Sequence, residues 1–446
     1  MSVTVNHTGG APGMVPLELD WEEPRHNVSR NLSKLHALLP RELSPLCLDL
    51  VDIATAVYMT DIAVLRGRNE QWVRNLSLTV PVREPGFWRE RASDLSYLLY
   101  VLTHDGVQFE FTRRDGTGEQ PTAERAVFAG DCVSLLSGGI DSLAGAVMLI
   151  RTGRRPVFVS HHSGNPTVMA AQGAVHDMLS GLGTGDRSEA FQTADIRLAV
   201  NGHGSPATLP FPPTALREPS QRSRSMLFMS LAVAAAHGQG VRETFVFENG
   251  ILTVALPLCS ARLGGLSTRS THPRVIALMN ELCHHAGLDC ELLNPFIYQT
   301  KAEIIRDILR PALAPFDIQR TVSCWAAGRA SRQCGGCLAC LIRRLSMLAA
   351  GLPDEAYEVD VLADPDACAG TDAYVNLVDL LSQCGDFLRG SDMDLLRMAP
   401  ELLDLQPGGV SLPEVLAMYR RYANEITDTV RTHFPRTARL LDRCCR

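Results

Sequence analysis

Ser137, Gly138, Gly139, Ile140, Asp141 and Ser142 concentrate more usable chemistry than any other short stretch of this sequence. The two glycines leave backbone N–H groups bare and accept conformations that side chains resist. The two serines add hydroxyl donors. A loop of this kind at a helix start makes a cradle for an anion, phosphate above all. Asp141 would repel a phosphate on its own, so it calls for a cation beside it, most simply Mg²⁺. The Gly-x-x-x-x-Gly-Lys-Ser/Thr spacing of the Walker loop is absent. The alternative is a glycine turn that merely joins a strand to a helix.

A second cluster lies two hundred residues on. Cys324 is followed by Cys334, Cys337 and Cys340. Four thiolates, three of them two residues apart, fit a closed tetrahedral Zn²⁺ site that contributes to folding rather than to reaction. An iron–sulfur cluster is the alternative. The chain has 13 cysteines, and its polar first residues lack a signal-peptide core. Both point to a reducing, cytoplasmic setting.

Other candidates are more local. Thr300-Lys301-Ala302-Glu303 reads as a capping box. Lys301 then sits in a first helical turn, where the dipole disfavours a cation, so an anion contact is expected. Arg222 and Arg224 open an Ala-rich helix and could hold phosphate or carboxylate; solvated surface arginines are the alternative. His161 and His162 end an apolar run, where a ligand contact and an ordinary loop are both open. Leu263–Thr271 is a Gly/Ser/Thr loop suited to touch a ligand.

These residues need a frame, and the surrounding periodicity supplies one. Short apolar runs at 133–136, 156–160, 193–200, 244–250 and 292–296 read as strands, with helical stretches between them. The fold class expected is α/β, a doubly wound and mostly parallel sheet, which binds ligands at the carboxyl ends of its strands. Residues 1–16 read as a flexible tail. Residues 17–125 read as a mixed α/β domain, with strands at Leu76–Val80 and Val107–Phe111 and a helix through Leu95–Leu102. The ATP-type domain is placed at 126–320, the cysteine subdomain at 321–350 and a helical region at 351–446. Residues 201–219 are a long loop suited to a lid, and Ser411-Leu412-Pro413-Glu414 reads as the cap of the last long helix. Net charge of -7 argues against a general nucleic-acid surface. No apolar run reaches the roughly 18 residues of a membrane helix.

With loop and cysteines both in view, the chain resembles the 7-cyano-7-deazaguanine synthase (QueC) family of PP-loop ATP pyrophosphatases. Five features carry the resemblance, in order along the chain. They are the 137–142 loop, Arg224, Glu248-Asn249, the run Thr300-Lys301-Ala302-Glu303-Ile304-Ile305, and the four cysteines followed by Arg343 and Arg344. The similar portion runs from about Val133 to Leu345. The resemblance implies an adenine-nucleotide alpha-hydrolase-like fold. It implies ATP and Mg²⁺ held by Ser137, Gly138, Gly139, Asp141, Ser142 and Arg224. Catalytic roles fall to Asp141, Ser142 and Lys301, and Zn²⁺ to Cys324, Cys334, Cys337 and Cys340. The implied reaction is adenylation of 7-carboxy-7-deazaguanine, then capture by ammonia to an amide and dehydration to the nitrile.

The sequence departs from that pattern at Leu338-Ala339, where the family has Asp, at Ser225, where it has Asn, and at His162–Asn165, where it has Tyr-Gly-Gln. With its additional N- and C-terminal regions, the chain is similar to larger members found in bacterial antiphage defence operons. That similarity implies a protein acceptor encoded nearby, joined to the deazaguanine through an amine. Two other functions stay open: tRNA sulfur transfer by a PP-loop enzyme, and a nucleotide-binding scaffold subunit without turnover.

Overall fold

A computed structural model describes residues 2–8, 17–22, 26–67, 72–114, 128–162, 165–182, 192–200, 209–257, 269–325 and 333–444. In chain order, its N-terminal part contains β1 (Ser2–Thr8), β2 (Leu17–Asp20), β3 (Val28–Asn31), helix α1 (Pro45–Ala63), β4 (Asn75–Val82), α2 (Ala92–Thr103) and β5 (Gly106–Arg113). The central part contains β6 (Cys132–Leu135), α3 (Ile140–Arg151), β7 (Pro156–His162), α4 (Pro166–Leu182), β8 (Gln192–Val200), α5 (Arg224–Gln239), β9 (Glu243–Phe245), α6 (Pro273–His285) and β10 (Glu291–Leu293). The main C-terminal helices are α7 (Leu338–Ala349), α8 (Asp372–Arg389), α9 (Leu412–His433) and α10 (Pro435–Cys444).

Two sheets result. The first has the order β2-β1-β4-β5, and the second β10-β9-β6-β7-β8-β3. In the second sheet the strands from β10 to β8 run parallel, and β3 adds an antiparallel edge. Strands β6 and β7 are buried along almost their whole length, as expected where helices cover both faces of a sheet. Order reverses at β6: β7 and β8 lie on one side, β9 and β10 on the other. That reversal opens a crevice at the carboxyl ends of β6 and β9, where open α/β sheets bind ligands. Here the architecture is the mixed, mostly parallel α/β fold with a cysteine subdomain and a helical C-terminal region that the sequence suggests.

The N-terminal tail is where the sequence misleads. Ser2–Thr8 is no tail but the strand β1, paired with β2 and β4. Val3 and Val5 alternate with polar residues and are buried, a pattern too short to separate from chance in the sequence. The edge strand β3 also crosses from the N-terminal part into the central sheet. The two parts share one core, which runs from Val3 and Leu78 through α1 to Leu227 and Val233 of α5.

Helix α1 explains that continuity. It is buried on nearly all sides, the condition of a helix lying between two layers. Its three buried carboxylates are all paired, as buried charge requires. Asp52 meets Arg30, Arg83 and Arg114. Asp49 accepts from Arg83 and from Trp88 Nε1. Asp61 meets Arg74 Nη2 at 2.5 Å and accepts from both the backbone N and the Oγ of Ser223 at 2.9 Å.

On the other face, Gly145 of α3 lies so close to the extended run after β9 that a Cβ there would sit 2.0 Å from the Phe247 ring. In the C-terminal region a separate core forms around Leu345, Leu381, Tyr419 and Ile426. Ser411 stands at the N-cap of α9 as expected, but its side chain makes no cap hydrogen bond. Its backbone N donates to Tyr298 Oη instead, which ties α9 to the central part. Of the long loop at 201–219, residues 201–208 lie outside the described residues. The rest is fastened to the N-terminal part, with Asn27 Nδ2 donating to Pro210 O. Among the described residues, no helix is long and apolar enough to cross a membrane.

Candidate active site

The loop leaves β6 at Leu135 and enters α3 at Ile140. Gly138 has φ +83°, and a Cβ on it would approach Gln172 N to 3.0 Å, so both backbone and space demand glycine there. Within the loop Ser137 N donates to Ser142 Oγ at 3.2 Å, and Ser142 Oγ donates to Gly139 O at 3.1 Å. These bonds are long, so a stronger acceptor can replace them.

Asp141 lies in the first turn of α3 and faces the crevice. Lys301 Nζ stands 2.7 Å from each of its carboxylate oxygens, and Asn249 Nδ2 donates to Oδ2 at 2.9 Å. The anion contact expected of Lys301 is therefore made, in the free protein, with a side chain. The expected capping box is present: Thr300 Oγ1 accepts from Glu303 N, and the Glu303 carboxylate accepts from Thr300 N. It fixes the helix start from which Lys301 reaches Asp141.

Glu248 and Asn249 end the extended run that follows β9; the sequence marks them within the resemblance but assigns them no role in the site. Thr271 Oγ1 donates to the Glu248 carboxylate. Thr271 belongs to the Gly/Ser/Thr loop expected to touch ligand, of which residues 263–268 lie outside the described residues. Burial pushes Glu248 up to about 7; the neighbouring Asp141 charge adds to this, while Thr271 and Lys301 oppose it. Asn249 also caps the following short helix, accepting from Leu252 N. Their place at a strand's carboxyl end was the available signal.

Arg224 stands apart from this group. It is exposed at the start of α5, its guanidinium 5.8 Å from the Phe228 ring centroid. Arg222 is buried instead and packs over Trp72. The His161 and Phe228 rings lie 5.0 Å apart.

Cys324, Cys334, Cys337 and Cys340 converge so that their sulfurs all lie within 4.8 Å of one another. Cys334 Sγ and Cys340 Sγ are 3.8 Å apart, the edge of a tetrahedron whose metal–sulfur bonds are about 2.3 Å. Backbone N–H groups of Cys334 and Cys337 donate to the sulfurs of Cys324 and Cys334, as suits thiolates. The donor set and its geometry fit a tetrahedral metal. This cluster is wired to the loop: Val322, two residues before Cys324, donates its N–H to Gly138 O at 3.1 Å. Arg343, fully buried, braces the connecting segment through Thr321 Oγ1, Gln319 O and the Glu355 carboxylate.

The family model of queuosine biosynthesis protein QueC matches residues 218–351. A 7-cyano-7-deazaguanine synthase of Thiobacillus denitrificans is 31% identical over 241 residues, 50% of this chain and 95% of that protein. The chain belongs to the 7-cyano-7-deazaguanine synthase family. The same enzyme of Ralstonia pickettii is 28% identical over 235 residues, 50% of this chain and 96% of that protein. That of Nitrosococcus oceani is 27% identical over 235 residues, again half of this chain. These synthases are thus matched almost end to end, and half of the present chain lies outside the match.

Proposed function

We propose that the chain uses ATP to activate the carboxylate of a 7-deazaguanine, releasing pyrophosphate and then AMP as an amine nitrogen takes the acyl group. The observation that carries this is the meeting of Asp141, Lys301 and Asn249 directly behind the Ser-Gly-Gly loop, in a chain of this family. Ser137, Gly138, Gly139 and Ser142 would take the pyrophosphate end of ATP with N–H and hydroxyl donors. Lys301 supplies a cation for the charge that develops as pyrophosphate leaves. The carboxylates of Asp141 and Glu248 are the hard oxygen ligands that Mg²⁺ prefers, and Mg²⁺ there would neutralise the leaving group. The four cysteines would hold Zn²⁺ in a structural role.

The acceptor is the finer question. A protein amine supplied by a partner, in an antiphage setting, draws support from the half of the chain that the compact synthases lack. The test is mass spectrometry of a reaction with ATP, Mg²⁺ and 7-carboxy-7-deazaguanine. AMP together with an amide or nitrile, when ammonium is present, supports the synthase reaction. AMP formed only when a neighbouring-gene protein is added, with that protein gaining the deazaguanine mass, supports conjugation. No AMP under either condition would remove the proposal and favour a scaffold.

A further inference from the structure

The helix that joins the two parts of the molecule also reaches the mouth of the crevice. Tyr58, buried on α1, sets its ring edge-on to His161 at 6.1 Å and 88°. His161 in turn packs on Phe228, and the Arg224 guanidinium lies over the Phe228 ring. So three aromatic rings and one exposed guanidinium, drawn from α1, β7 and α5, form a corner. It adjoins the loop: Gln172, the residue against Gly138, donates its Nε2 to His161 O at 3.1 Å. Ser160, next to His161, donates to Leu136 O, next to Ser137.

The corner is held with some strain. Gln221 has φ +46°, a conformation that costs a residue with a side chain and persists only when neighbours over-determine it. The neighbours are on α1. Tyr58 Oη donates to Gln221 Oε1 at 3.0 Å, and Asp61 grips Ser223 through both N and Oγ. The turn Gln221–Ser223 is what aims Arg224. His161 Nε2, for its part, is buried and has no hydrogen-bond partner. Burial, helped by the nearby Arg224 charge, holds this imidazole down to about 4, so it is neutral at working pH and can pair with the polar edge of a heterocycle.

We infer that the N-terminal region completes the substrate pocket: Tyr58, His161 and Phe228 wall a planar heterocycle, and Arg224 meets its carboxylate. Tyr58 is then a specificity-determining residue contributed by the part of the chain that precedes the region the family model matches. Flat heterocycles pack well on aromatic faces and edges, and a guanidinium pairs with a carboxylate in a fork. The inference rests on the function proposed above, because it needs a heterocyclic carboxylate as substrate. ATP also carries a flat base, and the test below separates the two.

The measurement is calorimetric binding to the full chain of two probes, 7-carboxy-7-deazaguanine and a non-hydrolysable ATP analogue. The variants are Tyr58→Leu, which keeps apolar bulk, His161→Asn, and Arg224→Gln, whose exposed site spares the fold. Each should weaken the carboxylate probe by about tenfold and leave the ATP analogue within about twofold. In turnover the loss should appear in KM for the carboxylate substrate more than in kcat. Unchanged affinity for the carboxylate probe in Arg224→Gln and His161→Asn would overturn the pocket. So would loss of the ATP analogue in its place, which would assign the corner to the adenine. Failure of the unsubstituted chain to bind 7-carboxy-7-deazaguanine would instead remove the proposed function, and the pocket with it.

Discussion

Asp141 and Lys301 neutralise each other in the free protein, and this pairing explains how a lysine can stand buried in a first helical turn. On the proposed function, ATP phosphates would compete for the same ammonium, and the pair would be the resting arrangement of these two charges. Lys301→Met leaves Asp141 as a buried charge without its cation, a change that costs about 3–5 kcal/mol. The expected outcome is loss of pyrophosphate release together with a lower melting temperature. Asp141→Asn should abolish release and also lower the melting temperature, since it leaves the buried Lys301 without its anion; retained turnover would take Asp141 out of the mechanism. Glu248 makes a pH prediction. Its neutral form is favoured by folding, so the stability it contributes is complete below its ordinary value of 4.5 and is lost as pH rises through about 7. Glu425 on α9 is also raised by burial to about 7 and acts in the same direction. The double variant Glu248→Gln/Glu425→Gln should therefore lose less melting temperature between about pH 5 and pH 8 than the parent chain. At this scale the loop and Lys301 were readable in the sequence because each is a local motif with a fixed backbone consequence. Tyr58, on which the pocket proposal turns, was not, because a single tyrosine in a mostly apolar helix does not tell a wall residue from a core residue.

The cysteine cluster and the loop behave as one element. The bond from Val322 N to Gly138 O joins them, and Arg343 stiffens the link. Cys337→Ser should lose bound metal, lower the melting temperature and also weaken binding of the ATP analogue, measured on the same sample by metal analysis, thermal melting and calorimetry. A metal-free variant with unchanged melting would refute a structural metal. Cysteine spacing revealed the cluster because four thiolates at those gaps have few other uses. Its attachment to the loop was hidden, since a single backbone bond between residues nearly two hundred apart leaves no pattern. The capping motifs show the same limit from the other side. Thr300-Lys301-Ala302-Glu303 closes its box, whereas Ser411 makes no cap bond and its backbone turns to Tyr298. The local signal was similar; a tertiary donor–acceptor pair decided.

Across the whole molecule, the central α/β order could be read from strand runs and helices, but the boundary at about residue 125 divides the sequence more sharply than the fold. The shared core from Val3 to Val233 places α1 between both sheets. A chain starting at residue 126 would expose the apolar face of α5 and lose Asp61, so it should be insoluble, while the full chain melts these two parts in one calorimetric transition. Two separated transitions would contradict the shared core. The edge strand β3 has a further consequence, which concerns synthesis. Val28–Asn31 leaves the ribosome early, yet its partner is Arg197–Val200. The nascent N-terminal part must therefore wait, with its edge unpaired and the outer face of α1 uncovered, until β8 and then α5 emerge. Domains that fold as units during translation escape such a wait; this chain does not, and a chaperone that shields hydrophobic nascent segments has its longest window here.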